Sequence, residues 1–167
     1  VKRALVREGV PEGRVLAYGV PRFARLFELR EAANLPHHPG RSVNILYIPG
    51  AFASHGMSKQ HRLQQRQLRE IVEYLSRDRS GRYRLIVKMH PREREEYYTW
   101  LERYGRFVQV ISSNANLYEA ILDSYVVVTI CSTVGYEALL LKRPVIIARF
   151  PNQELLSFKP LVDDFHI

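Results

Sequence analysis

Short apolar runs alternate with longer amphipathic segments along most of this 167-residue chain. The apolar runs are rich in Val, Ile, Leu and Tyr and are too short for free-standing helices, which is typical of buried parallel strands. Strands are expected at residues 43–48, 83–89, 107–111, 125–130 and 145–148. Because helical segments and short connections separate these runs, their order predicts an α/β fold in which helices cover both faces of a parallel sheet.

Apolar residues that recur every three to four positions predict the helices. Helices are expected at about residues 1–9, 22–34, 57–77, 92–104 and 115–122, and a further one begins near residue 132. In the segment 92–104, Tyr97, Leu101 and Tyr104 are aligned, so this segment is predicted to be an amphipathic α-helix. The length of the chain fits one domain with a sizeable core.

The carboxyl ends of the predicted strands carry most of the residues with binding chemistry. Ligands of open parallel sheets bind outside these ends. The strand ends supply Gly50, the segment His90-Pro91-Arg92, the loop 112–114 and the turn 132–135. We therefore expect four loops to converge at one edge of the sheet, with side chains suited to the recognition of phosphate, ribose and base.

The turn at Ser132 and Thr133 lies where a helix begins after a buried strand. Hydroxyl and unpaired N–H groups at a helix N-terminus can bind an anion, and the helix dipole favours negative charge there. Gly135 would let a ligand approach the backbone, and Glu137 could accept hydrogen bonds from the hydroxyls of a ribose. The same residues also fit an ordinary N-cap, a packing glycine and a helix-start glutamate.

Basic side chains cluster where the strand predicted at 83–89 ends. Lys88 and His90 are two residues apart, and side chains alternate along a strand, so both are expected on the same side. Arg92 follows them after Pro91 and can hold phosphate oxygens as a bidentate fork. The cluster therefore predicts a phosphate contact, although a histidine at a strand end can instead cap the neighbouring helix.

Charge and cysteine content restrict the class of protein. Lys and Arg number 25 against 17 Asp and Glu, a net charge of +8, which favours anionic ligands. The sequence has no run of 18 apolar residues and no apolar signal region at its start, so a cytoplasmic location is expected, with peripheral contact to the inner membrane face. The single cysteine, Cys131, excludes an internal disulfide and a CxxC metal cluster.

Four motifs together resemble the C-terminal, donor-binding half of GT-B transferases. They are Asn44-Ile45-Leu46-Tyr47-Ile48-Pro49, Lys88-Met89-His90-Pro91, Asn116-Leu117-Tyr118-Glu119 and Ser132-Thr133-Val134-Gly135-Tyr136-Glu137-Ala138. Their order is similar to that of CDP-glycerol glycerophosphotransferases and of capsule and sialyl-type transferases, and UDP-N-acetylglucosamine 2-epimerases are similar too. The resemblance implies a Rossmann-like domain at 21–167, which is one half of a GT-B fold, preceded by an interdomain segment at 1–20.

The resemblance also implies a nucleotide-activated donor, CMP-, CDP- or UDP-linked, with no metal or other cofactor. The residues carried over by position are His90 for the nucleotide phosphates, Ser132 and Thr133 for the phosphate tail, Glu137 for the ribose, and Ile111, Ser112 and Asn114 for the base. Gly50, Lys88, Arg92 and Gly135 join this set because of their charge or position. Since GT-B enzymes work between two domains, the acceptor is expected on an N-terminal domain, and this chain alone is expected to be inactive.

Two other interpretations stay open. The epimerase pattern has two glycines and paired acidic residues in its final motif, where this chain has Thr133, Val134 and only Glu137, which disfavours an epimerase. The positive charge also fits a non-catalytic module that binds anions or nucleic acid. A solvated helix face is the commoner meaning of such charge, so nucleic acid is not the expected partner. The sequence contains no GxGxxG or GxxxxGK[ST] loop.

Overall fold

The computed structural model of the protein describes residues 2–16, 21–32, 42–130 and 132–148. Expectations that concern the remaining residues stay predictions. These residues include Cys131, the end of the helix predicted at 22–34 and the segment 149–167. The strands, helices and contacts below refer to the described ranges.

Parallel strands form one sheet in the described part of the chain. They are β1 (Val43–Ile48), β2 (Tyr83–Lys88), β3 (Val108–Ile111), β4 (Val126–Thr129) and β5 (Val145–Ile147). Their order across the sheet is β3-β2-β1-β4-β5, and all neighbouring pairs are parallel. Each strand lies within an apolar run that predicted it, so the expected parallel sheet is confirmed.

Helices cover both faces of this sheet. The helices of the described ranges are α1 (Lys2–Arg7), α2 (Ala24–Ala32), α3 (Ser58–Ser76), α4 (Leu117–Leu122) and α5 (Val134–Leu140), of which α2 to α5 contribute to the cores on the sheet. Tyr47 of β1 belongs to a core with Leu68 and Val72 of α3, whereas its neighbour Leu46 belongs to a second core with Ile121 of α4. Because side chains alternate along a strand, the two cores lie on opposite faces of the sheet. The predicted Rossmann-like arrangement is therefore confirmed.

The α-helix predicted at 92–104 is wrong in its type. The segment instead forms two short 3₁₀ helices, Glu95–Tyr97 and Thr99–Tyr104. The N–H of Leu101 donates to the carbonyl oxygen of Tyr98 at 2.9 Å, which is the three-residue step of a 3₁₀ helix. This step places Tyr98 and Leu101 on the same side, where both are buried in the core beside α3.

The side chain of Asn116 caps the N-terminus of α4, and its removal should lower stability measurably. The side-chain oxygen of Asn116 accepts from the N–H groups of Tyr118 at 3.0 Å and Glu119 at 3.4 Å, and its amide nitrogen donates to the Glu119 carboxylate at 2.8 Å. We expect Asn116→Ala to lower the free energy of unfolding by about 1 kcal/mol in urea denaturation. Asn114→Ala changes a nearby exposed side chain outside the cap; an equal loss in both variants would contradict this role.

Candidate nucleotide-binding site

The predicted site residues follow neighbouring strands at the carboxyl edge of the sheet. The strand order reverses between β1 and β4, and open α/β sheets bind ligands at such a switch point. A hydrogen bond connects the ends of these two strands: the hydroxyl of Thr129, at the end of β4, donates to the carbonyl oxygen of Ile48, at the end of β1, at 3.3 Å. Strand β2 flanks β1 on the other side, so the ends of β2 and β4 are about 10 Å apart, two inter-strand spacings. The fold thus brings Gly50, His90 and Ser132 to one edge.

The backbone of Gly50 is held by a buried side chain. Its N–H donates to Oε1 of Gln64 at 2.7 Å, and Nε2 of Gln64 donates back to its carbonyl oxygen at 3.2 Å. Gln64 is 0% exposed, in line with Leu68 on the apolar face of α3. A side chain at position 50 would meet the ring of Phe52 at 2.8 Å, which explains the glycine. Gly50 therefore shapes the loop after β1, and its paired N–H and carbonyl support a structural role.

His90 lies at the end of β2, and its ring accepts a hydrogen bond from the turn that follows. The backbone N–H of Arg92 donates to Nδ1 of His90 at 3.1 Å. Burial, followed by the charges of Arg92, His55 and Lys88, lowers the pKa of His90 below its ordinary value. A neutral imidazole that accepts at Nδ1 carries its hydrogen on Nε2. His90 therefore does not cap the neighbouring helix, which begins at Glu95 without a side-chain cap; it bonds the turn after β2 and keeps Nε2–H as a donor for a phosphate oxygen.

Lys88 is 5% exposed, and its ammonium group contacts the loop after β3. Nζ donates to the carbonyl oxygens of Ser113 at 2.9 Å and Ser112 at 3.3 Å. Burial lowers the pKa of this ammonium. Two of its three N–H groups are therefore used to position the loop, and a direct contact with phosphate stays a prediction.

The loop expected to bind the base is internally bonded. Its first residue, Ile111, accepts from the N–H of Met89 at 3.2 Å, and the Ser112 hydroxyl accepts from the N–H of Asn114 at 3.2 Å. A cleft of about 260 Å³ borders the loop. Its lining consists of Met89, Glu95, Tyr98, Thr99, Glu102, Val110 and Ser112. The cleft lies next to the expected base loop but is smaller than sites that enclose a whole ligand.

The turn after β4 uses one of its two predicted hydroxyls. The Ser132 hydroxyl accepts from the N–H of Val134 at 3.2 Å, and the Ser132 carbonyl accepts from the N–H of Gly135 at 3.0 Å. Thr133 is exposed, and among the described residues its hydroxyl caps no N–H group of α5. Thr133 is thus the N-cap residue of α5 by position, while the Ser132 hydroxyl bonds the first N–H of the helix and keeps its own O–H as a potential donor.

Glu137 and Gly135 lie in the first turn of α5 and are both buried. Glu137 is 7% exposed and already has an interaction partner within the protein. A ribose contact would therefore have to be made in addition to that interaction, and it stays a prediction. Gly135 has ordinary helical backbone, since its φ is not positive.

Glu93 is a buried charged residue that the sequence did not single out. Oε2 of its carboxylate accepts from the Tyr98 hydroxyl at 3.4 Å, whereas Oε1 has no hydrogen-bond partner among the described residues. Nδ1 of His61 lies 3.8 Å from the same oxygen. Burial raises the pKa of Glu93, while His61 and the hydrogen bond from Tyr98 act in the opposite direction. The carboxylate lies between His61 of α3 and Tyr98, and its place three residues after His90 was the only signal in the sequence.

No group of three or more His, Cys, Asp and Glu side chains in the described ranges is arranged to hold a metal ion. The basic groups near the edge are His90 and Arg92, with Lys88 behind them. Such an arrangement can bind phosphate oxygens through hydrogen bonds and charge.

Comparisons with known proteins bear on this site. A model of the family described as CDP-Glycerol:Poly(glycerophosphate) glycerophosphotransferase matches residues 8–156. The match includes all the predicted site residues. No curated protein matches the sequence at a significant level.

Several solved structures are similar to the chain. UDP-GlcNAc 2-epimerase of Methanocaldococcus jannaschii, in complex with UDP-GlcNAc and UDP, is 16% identical with a TM-score of 0.62, over 98% of this chain and 45% of that chain. The wall teichoic acid polymerase TagF, soaked with CDPG, is 24% identical with a TM-score of 0.48, over 83% and 32%. The beta Kdo 2,4 transferase KpsC of Thermosulfurimonas dismutans is 21% identical with a TM-score of 0.45, over 78% and 46%.

The chain spans about a third of the TagF chain and less than half of the epimerase chain. The likeness to the epimerase extends over nearly the whole of this chain and agrees with the Rossmann-like half of a GT-B fold. At 16% identity this likeness concerns the fold alone.

Proposed function

Because the chain belongs to the CDP-glycerol:poly(glycerophosphate) glycerophosphotransferase family, we propose that it binds the nucleotide of an activated donor in a GT-B transferase for surface polysaccharides. One observation carries the proposal. The sheet reverses its strand order between β1 and β4, and the basic turn after β2 and the hydroxyl turn after β4 flank that point. Nucleotides bind at such points in related folds.

The proposed chemistry needs no metal ion. The donor leaves as a nucleoside mono- or diphosphate, CMP, CDP or UDP, and its negative charge must be stabilised as the bond breaks. Nε2–H of His90, the guanidinium of Arg92 and the hydroxyl of Ser132 supply hydrogen bonds and positive charge for this purpose. Glu137 and the loop 111–114 are proposed to hold the ribose and the base.

We propose that the acceptor and the catalytic base lie on a second, N-terminal domain, as is usual in GT-B enzymes. The reaction would take place between the two domains, with this chain holding the donor. On its own the chain is then expected to bind nucleotide without turning over a donor. The interdomain segment proposed at 1–20 would lead from that domain into the donor domain at 21–167.

Family membership supports a transferase over the two alternatives. The structural likeness to the epimerase concerns the fold, so it does not favour epimerase chemistry. For a non-catalytic nucleic-acid module, association would fall steeply with salt and would not respond to free nucleotide. Salt-dependent binding to RNA or DNA that CDP leaves unchanged would favour that module over the transferase.

The proposed location is the cytoplasm, with peripheral contact to the inner membrane face. The net charge of +8 would favour an anionic lipid surface. Among the described helices, none is long and apolar enough to cross a bilayer.

A titration with free nucleotides tests the proposed function. We expect the purified chain to bind CDP more tightly than CMP, because the second phosphate adds charge at the basic edge, and to prefer cytidine over uridine nucleotides as the family name suggests. Calorimetry or NMR shifts with CMP, CDP, UMP and UDP measure this. The affinity should be the same in EDTA and in magnesium, since no metal is proposed. Absence of binding at millimolar nucleotide would contradict the proposal.

A further inference from the structure

Basic side chains concentrate at the amino edge of the sheet, where the parallel strands begin. Six exposed ones lie there: four from the end of α3 to the start of β2, one before β3 and one before β5. They are Arg77, Arg79, Arg82, Arg84, Arg106 and Lys142. We call this set, with the tyrosines beside it, the amino-edge surface. None of the six belongs to the proposed nucleotide site, which lies at the opposite edge.

Backbone hydrogen bonds hold the starts of the strands side by side. The N–H of Val43, the first residue of β1, donates to the carbonyl oxygen of Arg82 at 2.6 Å. Beyond β4, the carbonyl oxygen of Pro144, two residues after Lys142, accepts from the N–H of Val127 at 2.9 Å. Because the strands are all parallel and neighbours are about 4.8 Å apart, their starts form a row about 20 Å wide.

The turn between α3 and β2 is held by its own hydrogen bonds. The Asp78 carboxylate accepts from the N–H of Ser80 at 3.0 Å and from its hydroxyl at 2.7 Å, and the same hydroxyl accepts from the N–H of Arg82 at 3.1 Å. Gly81 has a φ of +64°, a conformation that other residues rarely adopt. The acidic side chain of the turn is thus bonded to Ser80, while Arg79 and Arg82 are exposed.

Positive charge prevails at this edge. The acidic side chains near it among the described residues are Glu73, Asp78 and Asp123, half as many as the basic ones. One of the basic residues, Lys142, has a φ of 58° at the end of α5, where glycine is the usual residue. A lysine therefore occupies a position that the backbone alone would give to glycine.

Tyrosine rings are exposed beside these charges. Tyr74, near the end of α3, is 75% exposed, and Tyr125, directly before β4, is 48% exposed. The guanidinium of Arg82 lies 5.9 Å from the ring centroid of Tyr83, the first residue of β2. The edge therefore combines an excess of positive charge with amphipathic aromatic rings.

We propose that the amino-edge surface docks on an anionic lipid bilayer. Arginine binds phosphate oxygens through its N–H fork, and tyrosine is enriched at membrane–water interfaces. Clusters of about four to eight basic residues are typical of surfaces that bind anionic lipids. A row as wide as the sheet fits the plane of a bilayer, whereas a single nucleic-acid strand is bound in a groove.

Docking at this edge leaves the nucleotide site open. A strand of six residues, such as β1, is about 20 Å long, so His90 and Ser132 lie at the far end of the sheet from the lipid. Binding of lipid and binding of nucleotide are therefore independent. The proposal goes beyond the proposed function and does not depend on it.

Vesicle sedimentation tests the role of charge. We expect the chain to sediment with phosphatidylcholine vesicles only when they contain phosphatidylglycerol, and less so as salt is raised, because exposed charges are screened. The double variant Arg79→Gln, Arg82→Gln should weaken the binding roughly 25-fold, since each basic residue near an anionic surface contributes about fivefold.

The matched control is the double variant Arg62→Gln, Arg94→Gln, which removes two exposed charges outside the amino-edge surface. It should weaken vesicle binding less than about twofold, because charges that do not meet the lipid are screened. Equal losses in the two double variants would overturn the assignment of the surface. Equal binding to neutral and anionic vesicles would overturn it as well.

Soluble polyanions distinguish a bilayer from other anionic partners. Single-stranded RNA and polyphosphate are titrated against the wild type at the same concentration of negative charge as the phosphatidylglycerol vesicles. Tighter binding of the vesicles supports the bilayer. Tighter binding of either soluble polyanion overturns it.

Fluorescence quenching shows which edge meets the lipid. The wild type has one tryptophan, Trp100, which contacts Gln65 and Arg69 in the middle of α3. Tyr74→Trp adds a second one on the amino-edge surface. We expect brominated phosphatidylglycerol to quench the emission added by this variant more strongly than that of Trp100 in the wild type. Equal or weaker quenching would contradict the orientation.

Lys142→Gly separates lipid binding from stability. Vesicle binding should fall about fivefold with the lost charge, while the midpoint of urea denaturation should stay or rise, because glycine adopts the φ of 58° freely. Wild-type binding of vesicles by this variant would overturn the extension of the surface to β5. CDP titration of the same variants gives a separate result: binding of vesicles without CDP supports the docking surface and overturns the proposed function, and binding of CDP without vesicles does the reverse.

Discussion

His90→Ala is expected to weaken CDP binding roughly 10- to 150-fold, which corresponds to about 1.5–3 kcal/mol for a hydrogen bond to a charged group. The pKa of His90 is lowered, first by burial and then by its cationic neighbours, so the ring is neutral near pH 7. With Nδ1 occupied by the N–H of Arg92, the ring donates through Nε2. Calorimetric titration of CDP into the folded variant measures the loss.

Two further substitutions at His90 identify the nitrogen that acts. The amide nitrogen of Gln reaches about as far along the side chain as Nε2 of His, whereas that of Asn reaches only as far as Nδ1. We therefore expect His90→Gln to retain more affinity for CDP than His90→Asn, which should resemble His90→Ala. The reverse order would show that Nδ1 makes the contact and would contradict the tautomer inferred from the Arg92 hydrogen bond.

Gln64→Met is expected to lower the free energy of unfolding by about 2–6 kcal/mol, because two buried groups lose their partners at about 1–3 kcal/mol each. Met is similar in size to Gln, so the cavity contribution is small. The N–H and carbonyl of Gly50 would then be left without the partners at 2.7 and 3.2 Å. Urea denaturation followed by circular dichroism measures the change.

The matched control for this variant is Gln60→Met, one turn earlier on α3, where the side chain is half-buried. It makes the same chemical change, and its effect should stay within about 0.5 kcal/mol. Comparable losses in the two variants would mean that methionine is simply unfavourable in this helix. Because Gln64 holds the start of the loop 51–57, Gln64→Met should also weaken CDP binding while the protein is still folded.

The sheet and its two covered faces were predictable because a strand that is buried on both sides requires a short run of almost uninterrupted apolar residues. Runs such as Val43–Ile48 are apolar at nearly every position, since alternate residues such as Leu46 and Tyr47 enter opposite cores. The helix type at 92–104 was not predictable in the same way. Spacings of three and four both occur there, and the choice between them depends on which residues the core beside α3 accepts.

The sequence predicted which side chains lie at the carboxyl edge of the sheet. It did not predict which hydrogen bonds those side chains make. The histidine and the hydroxyl turn stand directly after strands, which the sequence shows. Gln64 and Glu93 gave little signal, because a polar residue in an apolar pattern looks like an ordinary surface residue until its partner is known.

By itself, the sequence determined the α/β class, the alternation of strands and helices along the chain, and the loops that carry His90 and Ser132. Only the tertiary structure decided what each polar group binds. Lys88 looked like a phosphate ligand, yet its ammonium donates to the carbonyls of Ser112 and Ser113. The physical reason is that strands neighbouring in the sheet are distant in the chain, so hydrogen-bond partners come from residues that no local pattern connects.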